Sequence, residues 1–124
     1  MKIEIEVSDE IISNLLCSAF EGGSNYWIES TRCEVKGDCF TSDRFDRTTV
    51  PLLDGGTVIV TLQDEAYKGK GVTYHLNRPA ILRGLHGMLH HAPKHFGDAL
   101  AGNDDATTGD VFLQCALFGE VVYG

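Results

Sequence analysis

The chain has 124 residues, 43% of them hydrophobic, which is enough for a single domain with its own core and too apolar for a disordered protein. Eighteen acidic against ten basic residues give a formal charge of −8, which disfavours direct binding to nucleic acid because such binding depends on Lys and Arg. An acidic surface can instead contact a basic groove of another protein, including a groove that otherwise holds DNA or RNA.

The first seven residues carry an alternating pattern. Apolar side chains occupy the odd positions from Ile3 to Val7 and charged side chains the even ones, which predicts a strand over residues 2–7 with one buried face. The segment lacks the apolar core of a signal peptide, and no later window holds eighteen uncharged apolar residues, so a cytoplasmic protein is expected. In that compartment free thiols rather than disulfides are expected at Cys17, Cys33, Cys39 and Cys115.

A helix and a second strand follow. Ser8 is a typical N-cap, and apolar residues recur after it at helical spacing until the glycine pair at 22–23, which predicts a helix between these points. A second strand is predicted from Tyr26 to Glu29, with an extension as far as Val35. Residues 36–54 have no sustained period, so a long excursion with short strands at most is expected there.

The second half of the chain is predicted to be mostly helical. The further elements are a central strand over 57–62, a helix from Asn77 to Ala92, a short helix over 96–100, a helix from Asp104 or Asp105 to Gly119, and a short strand over 120–123. Residues 1–124 are therefore predicted to form one compact α+β domain. Its small sheet is antiparallel or mixed, with three to four helices on one face.

The segment from Glu21 to Trp27 combines two glycines, hydrogen-bonding side chains and two large aromatic residues. Neighbouring residues of a strand point to opposite faces, so we expect one of Tyr26 and Trp27 to be buried and the other to reach the surface. A cavity near Glu21, Asn25 and Trp27 could stack a ring and hydrogen-bond its edge. The same residues could equally brace the turn between helix and strand.

Three carboxylates, those of Asp104, Asp105 and Asp110, lie around the start of the last predicted helix. Carboxylates there stabilise unpaired backbone N–H groups by about 0.3 to 1 kcal/mol each, so capping explains all three. The alternating oxygen ligands and closing Glu of a calcium loop are missing. The three residues are also candidates for contact with a basic partner.

Four of the five histidines lie within ten residues: His86, His90, His91 and His95. His86 and His90 have the i, i+4 spacing with which two helical residues can share a metal ion. Pro93 is expected to break the helix before His95, and the zinc-protease arrangement HExxH is absent. No metal or other cofactor is therefore predicted, and a metal-dependent hydrolase built on this cluster is kept as an alternative.

Two stretches of the chain resemble the two ends of a family of small bacteriophage and prophage proteins. They are LCSAFEGGSNYW at residues 16–27 and NDDATTGDVFLQCALFGEVVYG at residues 103–124, in the same order and separated by a variable middle. The resemblance implies a phage setting and brings no catalytic residues with it. In that setting, small acidic proteins without enzyme motifs often act by binding, and blocking a host defence complex is a frequent purpose.

The leading hypothesis is a non-enzymatic phage protein in the host cytoplasm that inhibits a bacterial defence system, above all a CRISPR effector complex, through an acidic face. One alternative is a sponge that sequesters a nucleotide-derived immune signal in a pocket near Glu21, Asn25, Tyr26 and Trp27. The other is the hydrolase on the histidine cluster. The expected partner is a host defence protein or complex, without direct contact with nucleic acid or membrane, and a homo-oligomer is left open.

Overall fold

A computed structural model of the chain describes residues 1–35, 38–40, 46–63 and 72–124, with the backbone alone for 38–40. The helices are α1 (Asp9–Ser18), α2 (Arg78–His91), α3 (Pro93–Leu100) and α4 (Ala106–Phe118). The strands are β1 (Ile28–Val35), β2 (Asp38–Phe40), β3 (Gly56–Leu62) and β4 (Thr73–Leu76). A π-helical turn, Ala19–Gly23, extends α1, and a 3-10 turn, Val50–Leu52, precedes β3.

Three of the helices begin at side chains that accept a hydrogen bond from the first turn. The Ser8 hydroxyl accepts from the backbone N–H of Ile11 at 3.2 Å at the start of α1. Asn77 caps α2 in the same way, and Asp105 caps α4 through the N–H of Thr108 at 2.9 Å. These caps satisfy donors that a helix leaves unpaired, and they confirm the predicted starts of the three longer helices.

Two residues account for where helices end. Gly119 closes α4 with a φ of +81°, a left-handed conformation that a residue without Cβ adopts easily. Pro93 follows the end of α2 as predicted, but it also becomes the first residue of α3. A proline is tolerated at that position because the missing N–H would be unpaired anyway. The third helix therefore begins earlier than predicted and contains His95.

The sheet is antiparallel throughout, with the strand order β2-β1-β3-β4. The predicted central strand is confirmed, because β3 pairs with both β1 and β4. Cys33, Val58 and Leu76 lie opposite one another across the three longer strands, and all three are buried. The four-residue β4 was not predicted, since too few residues repeat to give a period.

The helices pack on one face of this sheet and enclose a single core, as predicted for an α+β domain. Val58, Val60 and Leu62 of β3 are fully buried there, together with side chains from α1, α2 and α4. At Gly109 of α4 the backbones of α1 and α4 come very close, since an added Cβ would lie 2.7 Å from the carbonyl oxygen of Leu15. This contact fixes the position of α4 relative to α1.

The two predicted terminal strands, over 2–7 and 120–123, are wrong. Both segments lie outside regular secondary structure. The first lies along α2 and α3, its backbone forms no hydrogen bond with any residue that the structure describes, and Ile3 stays 82% exposed. The second is held by the side chain of Gln114 and not by a neighbouring strand.

The predicted excursion over 36–54 is described in part. Residues 36, 37 and 41–45 lie outside the described ranges, and the remainder contains only β2 and the 3-10 turn. Within the described ranges, every helix is too short or too polar to cross a membrane. Cys17, Cys33 and Cys115 are in no disulfide bond, and the side chain of Cys39 lies outside the described part.

Candidate functional site

The carboxylate of Asp110 is the centre of the most connected group of side chains in the described chain. It is 8% exposed and accepts four hydrogen bonds from uncharged donors. Oδ1 accepts from the Ser24 hydroxyl and the Trp27 indole N–H, both at 2.8 Å. Oδ2 accepts from the Tyr26 hydroxyl at 2.7 Å and from the Gln114 amide at 3.1 Å. These five residues are called the Asp110 cluster below.

Two features of local sequence bring these side chains together. Gln114 lies four residues after Asp110, so both project from the same face of α4. The turn after α1 passes directly over the start of α4, because an added Cβ at Gly23 would lie 2.1 Å from the carbonyl oxygen of Ala106. Only a glycine allows so close an approach. This contact places the next residue, Ser24, within hydrogen-bond distance of Asp110.

Of the two adjacent aromatic residues, one is buried and the other exposed, as the sequence predicts. Trp27 is 2% exposed, with its ring stacked on Tyr123 at 5.5 Å and tilted against Phe118 at 5.3 Å. Tyr26 is 52% exposed and meets the Tyr123 ring edge-on. Both residues lie in the turn before β1 and not in a strand, so turn geometry separates them. A nucleotide base could stack on Trp27 only after Tyr123 had moved away.

The C-terminal tail, residues 119–124, is attached to the cluster through Gln114. The carbonyl oxygen of that side chain accepts from the backbone N–H groups of Val122 at 2.7 Å and Tyr123 at 2.8 Å. Its amide nitrogen donates to Asp110 and, at 3.3 Å, to the carbonyl oxygen of Tyr123. A buried glutamine therefore supplies the backbone partners that a neighbouring strand would give.

Burial and hydrogen bonding together stabilise the neutral form of Tyr26. Burial of its hydroxyl is the larger cause, and the hydrogen bond to the Asp110 carboxylate is the next, so that the pKa of Tyr26 rises to about 12. All four donors to Asp110 are thus uncharged near neutral pH. The Asp110 cluster is a hydrogen-bonded joint between the turn, α4 and the tail, which corresponds to the bracing interpretation of this segment.

The other predicted site residues lie around the cluster and are accessible. Glu21 and Asn25 are exposed, and a Glu21 carboxylate oxygen lies 3.6 Å from a guanidinium nitrogen of Arg47. Asp104 is half-buried and accepts from the Ser18 hydroxyl at 3.1 Å. Asp105 is exposed, and the backbone N–H of Thr108 holds its pKa below the usual range.

The capping interpretation of the three aspartates is confirmed for one and wrong for two. Asp105 caps α4, as predicted. Asp110 lies past the first turn on the inner side of the helix, where it meets the turn after α1. Asp104 precedes the cap residue, so its carboxylate reaches across to α1 instead.

Three surface carboxylates form what we call the acidic edge: Glu21, Asp104 and Asp105. The segment that carries Glu21, from Ser18 to Gly23, contacts the segment that carries the two aspartates, from Asp104 to Ala106, at both of its ends. The exposed ring of Tyr26 belongs to the same turn. The acidic edge and the Asp110 cluster therefore occupy adjacent parts of one structural unit.

The four clustered histidines lie in different surroundings. His86 lines a groove with the N-terminal segment, and the rings of His90 and His91 meet edge-on at 4.8 Å. Nδ1 of His95 lies 2.9 Å from the Thr108 hydroxyl oxygen. Across residues 1–35, 46–63 and 72–124, no three side chains of His, Cys, Asp or Glu are grouped so that they could hold a metal ion.

Three members of this region were not among the predicted site residues: Ser24, Gln114 and Tyr123. A signal for Gln114 was present, because it is a lone amide within the apolar run from Val111 to Leu117 and stands four residues after an aspartate. Comparisons of the chain with protein-family models, with curated proteins and with solved structures find no match.

Proposed function

We propose that this chain is a non-enzymatic phage protein that binds a bacterial antiviral defence complex and inhibits it, with a CRISPR effector complex as the first candidate. It acts by presenting carboxylates to a basic groove that otherwise holds nucleic acid. The observation that supports this most is the distribution of charge: negative side chains are exposed, whereas several positive ones are bound to the protein's own backbone.

Three arginine side chains are bound to backbone carbonyl groups of the protein itself. Arg83 donates twice to the carbonyl oxygen of Ala116, at 2.6 and 2.9 Å, and Arg78 donates twice to that of Leu52. Arg47 donates to the carbonyl oxygen of Phe20 and lies over the Phe20 ring. Guanidinium groups held in this way are poorly placed to contact a phosphate backbone, which favours a protein partner over nucleic acid.

The carboxylates are placed differently. Among the described residues, Asp110 is the one carboxylate that is buried, and the others remain at least partly accessible. The acidic edge gathers three of them beside the half-exposed Tyr26 and the exposed Asn25. An exposed aromatic surrounded by polar groups is a common centre of a protein interface, and clustered charge speeds association with an oppositely charged groove.

The Asp110 cluster supports this surface from behind. It fixes the turn that carries Glu21, Asn25 and Tyr26 onto the start of α4, next to Asp104 and Asp105. A preorganised surface loses less conformational entropy on binding than a mobile one. In this proposal Trp27 and Asp110 position the contact residues and do not touch the partner.

The test measures binding of a purified CRISPR effector complex to the protein at rising salt concentration, together with inhibition of target cleavage. We expect affinity to fall steeply as salt rises, because exposed charges are screened within about 8 to 10 Å at physiological ionic strength. The triple variant E21Q/D104N/D105N should weaken binding at least about tenfold. Each amide keeps an acceptor oxygen, and Asn serves as an N-cap as well as Asp does, so the fold is preserved.

The matched control removes three exposed carboxylates from other segments, in the variant E29Q/D54N/E120Q. It changes the net charge by the same amount and should retain most of the affinity. Equal loss in both triple variants would show that net charge, and not the acidic edge, governs binding. Binding that is absent, or that does not change with salt, would contradict the proposal for this partner. A pull-down from infected host cells with mass spectrometry then names the complex to test next.

A further inference from the structure

The N-terminal segment, residues 1–7, has the side-chain geometry of a strand without a strand partner. Ile3, Ile5 and Val7 all line one groove, which also receives side chains from α2 and α3, so alternate residues face the same side. The groove is open and encloses about 190 Å³. The even positions, Lys2, Glu4 and Glu6, are exposed.

This segment leaves both backbone and apolar surface uncovered. Among the described residues, no hydrogen bond involves the backbone of residues 1–7. Ile3 is 82% exposed and Ile5 49%, and Leu82 and Leu89 of α2 on the same groove are 58% and 44% exposed. Unpaired strand backbone beside exposed apolar side chains is a template for the addition of another strand.

We propose that the added strand is the same segment of a second copy of this chain, paired antiparallel about Glu4 in a symmetric dimer. In this register Lys2 lies opposite Glu6 of the second copy, and the pair occurs twice because the arrangement is two-fold symmetric. Ile3 lies opposite Ile5, so that the apolar residues stay on one face. The sequence of the segment is therefore complementary to itself.

Charge and the number of paired residues together favour this register over its alternatives. A parallel, in-register pairing would place Lys2 on Lys2, Glu4 on Glu4 and Glu6 on Glu6, which sets like charges opposite at every even position. An antiparallel pairing shifted by two residues in one direction would oppose Glu4 to Glu6 and leave Lys2 without a carboxylate. The opposite shift would oppose Lys2 to Glu4 twice, but it leaves Glu6 and the groove residue Val7 unpaired, and in that register E4Q would weaken the dimer. The proposed register pairs all seven residues and contains one like-charge contact, between the two Glu4 side chains.

The groove explains how so short a ribbon is stabilised. A two-stranded ribbon alone is marginal in water and needs an apolar face packed against another element. Here its apolar face lies on α2 of both copies, and it covers Leu82 and Leu89. The expected dimer is therefore driven by apolar burial and aligned by the Lys2 to Glu6 pairs.

The test is analytical ultracentrifugation of the full chain, without an N-terminal tag, over a wide concentration range. The wild type should form dimers, and K2E should raise the dimer dissociation constant at least about tenfold, because two attractive cross-strand pairs become repulsive. The swap K2E/E6K restores opposite charges and should restore the dimer. E4Q should tighten it, since that variant removes the like-charge contact.

A second variant probes the apolar face. I3K changes a side chain that is already 82% exposed, so the monomer should unfold at the wild-type temperature while the dimer is lost. A wild type that stays monomeric at its highest soluble concentration would overturn the proposal. A dimer that K2E and I3K leave unchanged would also overturn it, as would a swap that fails to restore a dimer lost in K2E.

Discussion

The two ends of the chain are both short apolar segments outside regular secondary structure, and they are held in different ways. At the C-terminus, Gln114 accepts the N–H groups of Val122 and Tyr123, and the Tyr123 ring stacks on Trp27. At the N-terminus, Ile5 and Val7 line a groove, but the backbone of residues 1–7 has no hydrogen bond to any described residue. One end is docked by its backbone and the other only by its side chains.

The difference shows what an apolar segment needs in order to become part of a fold. Ordering a residue opposes folding by roughly 1 to 2 kcal/mol in backbone entropy, so partial side-chain burial alone leaves little net stability. The C-terminal tail adds hydrogen bonds worth about 0.5 to 1.5 kcal/mol each and a stacked aromatic pair. The N-terminal segment lacks both of these interactions with the described residues, which is the basis for the dimer proposed above.

The largest effect is expected from D110A, which removes the acceptor at the centre of the docked end. The Ser24 hydroxyl and the Trp27 indole N–H would then be buried without a partner, so the free energy of unfolding should fall by about 3 to 5 kcal/mol. Urea denaturation measures this loss. The matched variant D110N keeps an acceptor oxygen and should lose clearly less. A loss below about 1 kcal/mol in D110A would contradict the central role of this carboxylate.

Truncation compares the two ends directly. Removal of residues 121–124 takes away the Tyr123 stack and uncovers Trp27, and it should lower the free energy of unfolding by about 3 kcal/mol. Removal of residues 1–5 should lower it by less than about 1 kcal/mol in dilute solution, because the segment is largely exposed there. Both values come from urea denaturation. Equal losses from the two truncations would remove the distinction between docked and undocked ends.

A smaller effect is expected where α4, which carries the docking residues, meets α1. In G109A the new Cβ would lie 2.7 Å from the backbone of Leu15 and of Ala19, and the helices must shift, so a loss of about 1 to 3 kcal/mol is expected. G97A in α3 is the control, since no atom lies within 4 Å of the added Cβ. That variant should be neutral or stabilised by up to about 1 kcal/mol. Thermal unfolding of the two variants tests the contrast.

Local signals in the sequence were enough for most of the helices and for the central strand. Ser8, Asn77 and Asp105 mark helix starts because a cap depends on residues within one turn. The β-branched run in β3 indicates a buried strand for a similar reason. The sequence also predicts that one of the adjacent residues Tyr26 and Trp27 is exposed and the other buried, as the structure shows.

The terminal segments and the Asp110 cluster could not be predicted in this way. An alternating apolar pattern is typical of a strand but does not say whether the edge of another strand is nearby. The strands predicted over residues 2–7 and 120–123 are wrong for this reason. The cluster joins Ser24 to Asp110 and Trp27 to Asp110, contacts that span more than eighty residues of sequence. Such contacts depend on how α4 packs on the turn after α1.

The smallest and most specific effect concerns Tyr26, the exposed neighbour of the docked tail. Its folded pKa of about 12 lies above the value of about 10 expected in the unfolded chain, so folding favours the protonated hydroxyl. The stabilisation is therefore complete below about pH 10 and is lost as the pH rises towards 12. Because the residue is half-exposed, the amplitude should be well below that of a fully buried group.

The test compares the wild type with Y26F in urea denaturation from neutral pH to about pH 12. Near neutral pH the variant lacks the hydrogen bond to Asp110 and should be less stable by about 0.5 to 1.5 kcal/mol. This difference should shrink above about pH 10, because only the wild type has a hydroxyl at position 26 to ionise, and the subtraction removes the contribution of other titrating groups. A difference that stays constant across this range would mean that the Tyr26 hydroxyl has the same pKa in the folded and unfolded chains. The half-exposed Tyr26 would then contribute no pH-dependent stability, in contrast to the role expected of its hydrogen bond to the buried Asp110.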